Sequence, residues 1–304
     1  MAARIDRLPK TVSPLVGLTV AIVAVSTSAI LVRWSQAPSI VAAFYRVLFT
    51  TLLLAPFAFV RHRNPFAGLQ RRHLLGATLA GLALSIHFAA WFESLAWTSV
   101  AASVTIVQSQ PLFVAVGAAL FLEERVTGGI IVGILVAMLG IAVMSVPDLL
   151  GGPAVGADPT YGNGLALLGA VAAAVYVLAG RSIRQRVALL PYVLVVYVVC
   201  SIGLLAVVGF QGAPLGGYPP REWVLFLAMA IGPGVFGHTV LNWALAHVES
   251  SVVSVSLLGE PIGATVLALV LLAEVPDTVT VVGGVVVLAG IYLTARARPS
   301  GDGR

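Results

Sequence analysis

Residues 95–141 read LAWTSVAASVTIVQSQPLFVAVGAALFLEERVTGGIIVGILVAMLGI, and residues 245–291 read LAHVESSVVSVSLLGEPIGATVLALVLLAEVPDTVTVVGGVVVLAGI. Laid on one another with a shift of 150 and no gap, twelve of the forty-seven positions are identical. Matches of Ala, Val and Leu carry little weight in so apolar a chain. Pro111 on Pro261, Glu124 on Glu274, Gly133 on Gly283 and Gly140 on Gly290 carry more, because these residues have specific backbone or charge roles. Self-similarity at a long fixed period means two copies of one structural unit, and in an apolar chain it points to a transporter.

Composition supplies the solvent. Of 304 residues, 59% are hydrophobic and 10% are charged, with a mean hydropathy of +1.03. A soluble domain carries about 25% charged residues. This much apolar sequence is hidden only by lipid, so an all-α membrane protein is expected. The formal charge of +5 could indicate nucleic acid, but the basic residues sit in short loops between apolar runs and form no basic face. No nucleic-acid partner is expected. Cys200 is the single cysteine, so no intramolecular disulfide forms, and neither a metal nor a cofactor is expected.

A membrane-crossing helix needs about 20 predominantly apolar residues. Ten stretches qualify: 14–34, 38–60, 73–96, 99–122, 127–146, 161–180, 187–209, 222–246, 250–273 and 277–295. The first resembles a signal peptide in its basic flank, but its apolar run is too long for one, and it reads as a retained helix. Pro38 and Pro191 begin helices, and Thr127 and Asp277 are placed to cap the fifth and tenth. The breaks at 97–98 and 247–249 are weak, because the apolar runs nearly fuse there.

With the N-terminus cytoplasmic, fourteen Lys and Arg fall inside, among them Arg71, Arg72, Arg181 and Arg184, against Arg33 and Arg221 outside. That positive-inside bias predicts ten transmembrane helices with both termini cytoplasmic. Five helices per half is odd, so the copies enter the bilayer from opposite sides. The expected architecture is two inverted five-helix repeats around a central cavity. Its parts are a tail at 1–13, the repeats at 14–146 and 161–295, a Gly/Pro-rich linker at 147–160 and a tail at 296–304. Inverted repeats suit alternating access around a site near the midplane.

The chain resembles the EamA-type carriers of the drug/metabolite transporter superfamily over nearly its whole length. The specific parts are Gln110-Pro111…Leu122-Glu123-Glu124-Arg125…Gly133…Gly140, and Glu260-Pro261…Leu272-Ala273-Glu274…Gly283…Gly290, with Phe44-Tyr45-Arg46 early in the second helix. The resemblance implies a ten-helix bundle whose cavity is lined by helices one, three, four, six, eight and nine, carrying amino acids or other small metabolites. The polar Gln108-Ser109-Gln110 departs from the family pattern and points to this protein's own specificity.

Polar groups within hydrocarbon must face protein or water. Gln110 and Glu260 occupy matching positions, each before a proline that withholds an N–H and loosens its helix. A carboxylate there can bind an ammonium group or carry a proton; a glutamate that only hydrogen-bonds across the bundle would fit the same letters. His87 and Trp91 lie four apart on the third helix, and His238 and Asn242 four apart on the eighth. Imidazole beside indole suits a ligand with an apolar body, and His87 and His238 join Glu260 as possible proton carriers. The plain alternative is a hydrogen-bonded core histidine against a packing aromatic. Gln108 and Tyr176 complete the substrate-binding set; Ser26, Ser28, Ser103 and Ser254 are weaker candidates.

Arg46 is the sole basic residue well inside a span. It could hold a substrate carboxylate, but an ion pair with Glu93 or Glu260, or snorkelling outward, is the favoured expectation. Glu124 and Glu274 read as junction residues near the start of the following helix, Pro111 and Pro261 as structural or gating positions, and the four repeated glycines as close-packing sites.

These features favour a secondary carrier, an exporter of a small amphipathic metabolite such as an amino acid, across the inner membrane. Efflux of cationic drugs is the alternative, supported by the carboxylate and aromatics and weakened by Arg46. A nucleotide sugar would call for more cationic groups. No phosphate-binding loop for primary active transport is present. A membrane enzyme is a distant alternative: zinc-protease and nucleophile-elbow motifs are absent, and His87 and Glu93 lie on different helix faces. The partners are the bilayer and a small molecule, and the oligomeric state is left open.

Overall fold

The computed structural model of the chain describes residues 13–61, 64–67, 69–121, 127–144, 156–184, 186–244, 257 and 259–297. Its helices are α1 (Pro14–Ser26), α2 (Ser28–Trp34), α3 (Ser39–Arg61), α4 (Arg71–Trp97), α5 (Val100–Val107), α6 (Gln110–Phe121) and α7 (Gly128–Met144). They continue as α8 (Pro159–Arg184), α9 (Leu189–Gln211), α10 (Pro220–Met229), a π-helical segment (Ala230–Thr239), α11 (Val240–Ala244), α12 (Gly259–Leu272) and α13 (Thr278–Arg296). Among the described residues, seven helical stretches are long and apolar enough to cross a bilayer, and three further apolar helices are shorter. Large apolar side chains such as Phe57, Phe121, Phe210 and Val270 stand exposed, as suits a lipid-facing surface. The protein is an all-α, multi-pass membrane protein.

Several of the ten expected stretches are not continuous. The first bends at Thr27, whose hydroxyl turns back to the Ala24 carbonyl at 2.7 Å. The fourth breaks at Gln108-Ser109, where Pro111 contributes no N–H and α6 starts afresh. The eighth widens into the π-helical segment around Pro233, between Gly232 and Gly234. Such widening recurs at functional positions. The weak break at 97–98 is real: Thr98 leaves the helix, and Ser99 caps α5 by accepting the Ala102 N–H at 3.0 Å. The linker boundary moves to Pro159, two residues earlier than expected. The break at 247–249, Ser254 and Glu124 lie outside the described residues, as does the side chain of Pro261.

Contacts between elements from the two parts of the chain build the bundle. Helix α3 packs on α9, α4 on α8 and α9, α1 on the π-helical segment and α12, and α7 on α13. The last pair shows what the repeated glycines do. A Cβ on Gly140 would stand 2.6 Å from Val287 N and 2.7 Å from the Gly283 carbonyl, and one on Gly290 would meet Ala137 and Gly133. The matched glycines therefore pack against one another's backbones, with α7 and α13 running antiparallel.

Candidate functional site

A cavity partly open to solvent lies within the bundle. All eight residues singled out for substrate binding line it: His87, Trp91, Gln108, Gln110, Tyr176, His238, Asn242 and Glu260. Five elements deliver them, namely α4, the broken α5–α6 helix, α8, the π-helical segment with α11, and α12. Apolar side chains such as Leu84, Val107 and Leu241 fill the rest of the wall. Arg181, which the sequence marks only as an orientation signal, lines it too.

The interruption of the fourth stretch positions the first polar pair. Gln108, at the turn between α5 and α6, donates from Nε2 to Glu260 Oε2. The contact to Glu260 comes from Gln108, while Gln110, the residue at the matching repeat position, lines the same cavity two residues further on. The turn accounts for this, because residues 108 and 110 do not share a continuous helical face. Gln108 Oε1 is buried and has no partner among the described residues. Glu260 is 8% exposed, so its carboxylate is reached only from within the bundle.

His87 donates from Nδ1 to the Gly169 carbonyl at 2.9 Å, which leaves Nε2 as an acceptor when the ring is neutral. Its ring stacks on Trp91, with centroids 5.8 Å apart, and the Trp91 indole N–H is buried without an acceptor among the described residues. Across the cavity, Asn242 donates from Nδ2 to Tyr176 Oη at 2.5 Å and to the His238 carbonyl at 2.8 Å. His87 thus has a structural bond as well as a cavity-facing neighbour, while His238 bonds through its carbonyl and sets its ring edge-to-face with Phe88, centroids 5.3 Å apart.

Arg46 stands apart from this cavity. Its Nη1 donates to Ser28 Oγ at 2.8 Å, and its guanidinium carbon lies 4.5 Å from the Phe88 centroid and 5.4 Å from that of Phe92. The expected ion pair is not formed: Glu93 instead accepts from the Trp97 indole at 2.9 Å, and Glu260 is held by Gln108. Nor does Arg46 snorkel, being 1% exposed. Two aromatic faces hold the cation where a carboxylate was expected.

Glu274 is a junction residue, but not of the helix that follows it. Asp277 caps α13, accepting from the N–H groups of Val279 at 2.8 Å and Thr280 at 2.9 Å. Glu274 accepts the Val100 N–H at the start of α5 and pairs with Arg33, whose Nη2 also donates to the Thr98 carbonyl at 2.7 Å. Ala273, at φ 53°, gives the left-handed turn that ends α12 just before it. Trp97 against Tyr161, with centroids 5.3 Å apart, and the 3.0 Å bond from Thr98 to Asn163 add to the closure at this end. Ser26 and Ser28 bond backbone or Arg46, and Ser103 pairs with Ser94 at 2.6 Å, so these serines serve packing.

A mostly apolar cavity with a few convergent polar groups, inside a bundle of apolar helices, suits a membrane transporter. The description of the EamA-like transporter family matches residues 13–146 and again residues 160–296, and the chain belongs to that family. It is a carrier rather than an enzyme, in a multi-pass integral membrane protein of the kind found in bacterial inner membranes. Among the described residues, no group of three or more His, Cys, Asp or Glu is placed to hold a metal ion. The chain is 32% identical over 194 residues to an uncharacterized transporter of Archaeoglobus fulgidus, covering 64% of this chain and 67% of that one. It is 25% identical over 261 residues to the pseudopaline exporter CntI of Pseudomonas aeruginosa, covering 86% and 87%. A probable terminal-alkyne amino-acid exporter of Streptantibioticus cattleyicolor is 33% identical over 196 residues, covering 63% and 62%. A protein of known crystal structure shares the fold, with a TM-score of 0.64 at 18% identity over 92% of this chain and 95% of that one.

Proposed function

We propose that the protein is a secondary carrier that exports a small amphipathic metabolite, an amino acid, by alternating access across the inner membrane. The carrying observation is the single cavity in which Glu260, Gln108, His87, Trp91 and Tyr176 converge from both parts of the chain. The carboxylate receives the ammonium group, while the stacked His87 and Trp91 rings take the apolar body. Two relatives whose names describe exporters, one of them of an amino acid, support the direction and the cargo class.

In this reading the chain forms ten crossings as two five-helix units of opposite orientation. The doubled family match and the antiparallel glycine contact between α7 and α13 support it. The cavity lies toward the Arg181 end, while Arg33, Thr98, Tyr161 and Glu274 close the other. With Arg181 on the cytoplasmic side, this is the inward-open form, ready to load from the cytoplasm. Glu260, His87 and His238 are the groups available to couple export to protons.

Counterflow in liposomes tests the proposal: labelled amino acids should accumulate against an unlabelled internal pool, and Glu260→Gln should abolish the exchange. Exchange of lipophilic cations but not amino acids would install the efflux reading in its place. The apolar and aromatic lining beside a carboxylate favours that second reading over any phosphorylated cargo.

A further inference from the structure

The eighth apolar stretch does not wind as the third does. Laid on one another with the shift of 150, His87 falls on Gly237 and Phe88 on His238, so the second histidine sits one residue late. Yet His87 and His238 line the same cavity, and both rings pack on Phe88, with centroids 5.0 and 5.3 Å away. Helix α4 is α-helical throughout, whereas its counterpart passes through the π-helical segment Ala230–Thr239. There the N–H groups reach back five residues instead of four, so the turn takes in an additional residue. A continuous α-helix, advancing about 100° per residue, would bring Gly237 to the place that His238 holds.

Three features hold the wide turn. Pro233 withholds an N–H from the ladder. Thr239 Oγ1 donates to the Gly234 carbonyl five residues back at 3.1 Å, and the Tyr197 hydroxyl lies 3.2 Å from that Oγ1. The third is Thr50, which reaches across from α3 and is buried. Its Oγ1 lies 2.7 Å from the Arg46 carbonyl, the usual back-bond of a helical threonine, and 3.2 Å from the carbonyl of Ala230, where the segment begins. A Cβ on Gly234 would collide with the same hydroxyl. Thr50 is thus inserted at the step where an α-helix bonds the Gly234 N–H to the Ala230 carbonyl. Its neighbour Thr51 makes the back-bond alone among the described residues, to the Val47 carbonyl at 2.7 Å.

We infer that Thr50 is a positioning residue for the cargo site. Seated against Ala230 and Gly234, it keeps the wide turn in place, and the additional residue of that turn brings His238 rather than Gly237 to the cavity wall. The His238 ring makes no hydrogen bond of its own among the described residues, so it is available to a polar group of the cargo. That His238 meets cargo rests on the carrier reading above; that Thr50 sets its register does not.

The test takes two readouts from the full-length protein. The first needs no cargo: with Cys200→Ala removing the native thiol, His238→Cys is labelled with N-ethylmaleimide in detergent. Thr50→Val keeps the shape but loses the hydroxyl, and should slow labelling about tenfold, the equilibrium effect of one lost hydrogen bond. Gly234→Ala puts a methyl group where the hydroxyl sits, should do the same, and guards against a folding failure in the first variant. Thr50→Ser and Thr51→Val should leave the rate within about twofold. The second readout is counterflow of labelled L-amino acids in liposomes, with His238 intact. Thr50→Val should raise KM about tenfold with little change in maximal rate, His238→Ala should match it, and the double variant should be no worse than His238→Ala alone. Labelling that is not slowed in Thr50→Val, or in Gly234→Ala where the first does not fold, overturns the positioning role. So does equal slowing in Thr51→Val, and so do KM losses that add in the double variant. The expected labelling pattern without amino-acid exchange by the wild type overturns the amino-acid cargo and leaves the role of Thr50 standing.

Discussion

Arg33 Nη2 lies 3.6 Å from Glu274 Oε2, and Oε1 of the same carboxylate accepts the Val100 N–H at 2.7 Å. One carboxylate therefore ties the end of α2 to the start of α5, across the mouth opposite the cavity. A charge-assisted bond of this kind contributes about 1–2 kcal/mol, more than the ion pair does by itself. Glu274→Gln should shift the population toward the outward-open form by about tenfold. Ser103 is fully buried behind this closure. In a Cys200→Ala background, Ser103→Cys should react faster with an external impermeant maleimide once Glu274→Gln is added. An unchanged labelling rate would show that the tie does not hold the mouth shut.

The α7–α13 contact predicts a sharp difference between glycines. Gly140→Ala drives a methyl group into backbone atoms 2.6 and 2.7 Å away, which side-chain movement does not relieve. It should cost about 1–3 kcal/mol. Gly164→Ala, on α8 with nothing within 4 Å, should be neutral or stabilise by up to about 1 kcal/mol. Thermal melting of the two variants in one detergent provides the comparison.

Glu260 and Gln108 should separate in function. Glu260→Gln removes the charge but keeps the shape and an acceptor for Gln108. Counterflow should fall by more than about tenfold while stability stays within about 1 kcal/mol of wild type by thermal melting. Gln108→Ala leaves the carboxylate in place without its donor, so exchange should persist with a weaker apparent affinity for cargo. Equal loss in both variants would mean that the pair acts structurally.

Asp277 gives a pH signature outside the membrane. Partial burial raises its carboxyl, but the hydrogen bonds from Thr280 and Val279 outweigh this and hold it below the usual carboxylate range. A folded-state value depressed below the unfolded one means stability that is present above the unfolded value and lost as pH falls through the folded one. Asp277→Asn keeps an acceptor for the cap and should reduce that acid-limb loss, whereas Asp277→Ala should cost about 1 kcal/mol at neutral pH. Melting curves between neutral and acid pH distinguish the two variants.

Much of the site was legible in the sequence because lipid makes polar residues conspicuous. His87, Trp91, Tyr176, His238, Asn242 and Glu260 stand out against apolar neighbours, and they line one cavity. Pairings were less legible. The repeat put Gln110 and Glu260 at matching positions, but it did not show that Gln108, at the break before α6, is the residue that bonds Glu260. Arg46 looked like half of an ion pair, because spacing does not reveal that Phe88 and Phe92 arrive beside it from α4. Arg181 was hidden among the loop cations, though its position in the last turn of α8 was the available signal.

Composition by itself determined that this protein lives in lipid, and the 150-residue echo of Pro, Glu and Gly pointed to a double plan. Both are properties of residue type and spacing, which need no partner to be read. Which carboxylate meets which donor was decided only in the tertiary structure. The reason is physical: a hydrogen bond such as that between Gln108 and Glu260 joins residues 152 positions apart, and it exists only after helix breaks and glycine contacts have set where the helices meet.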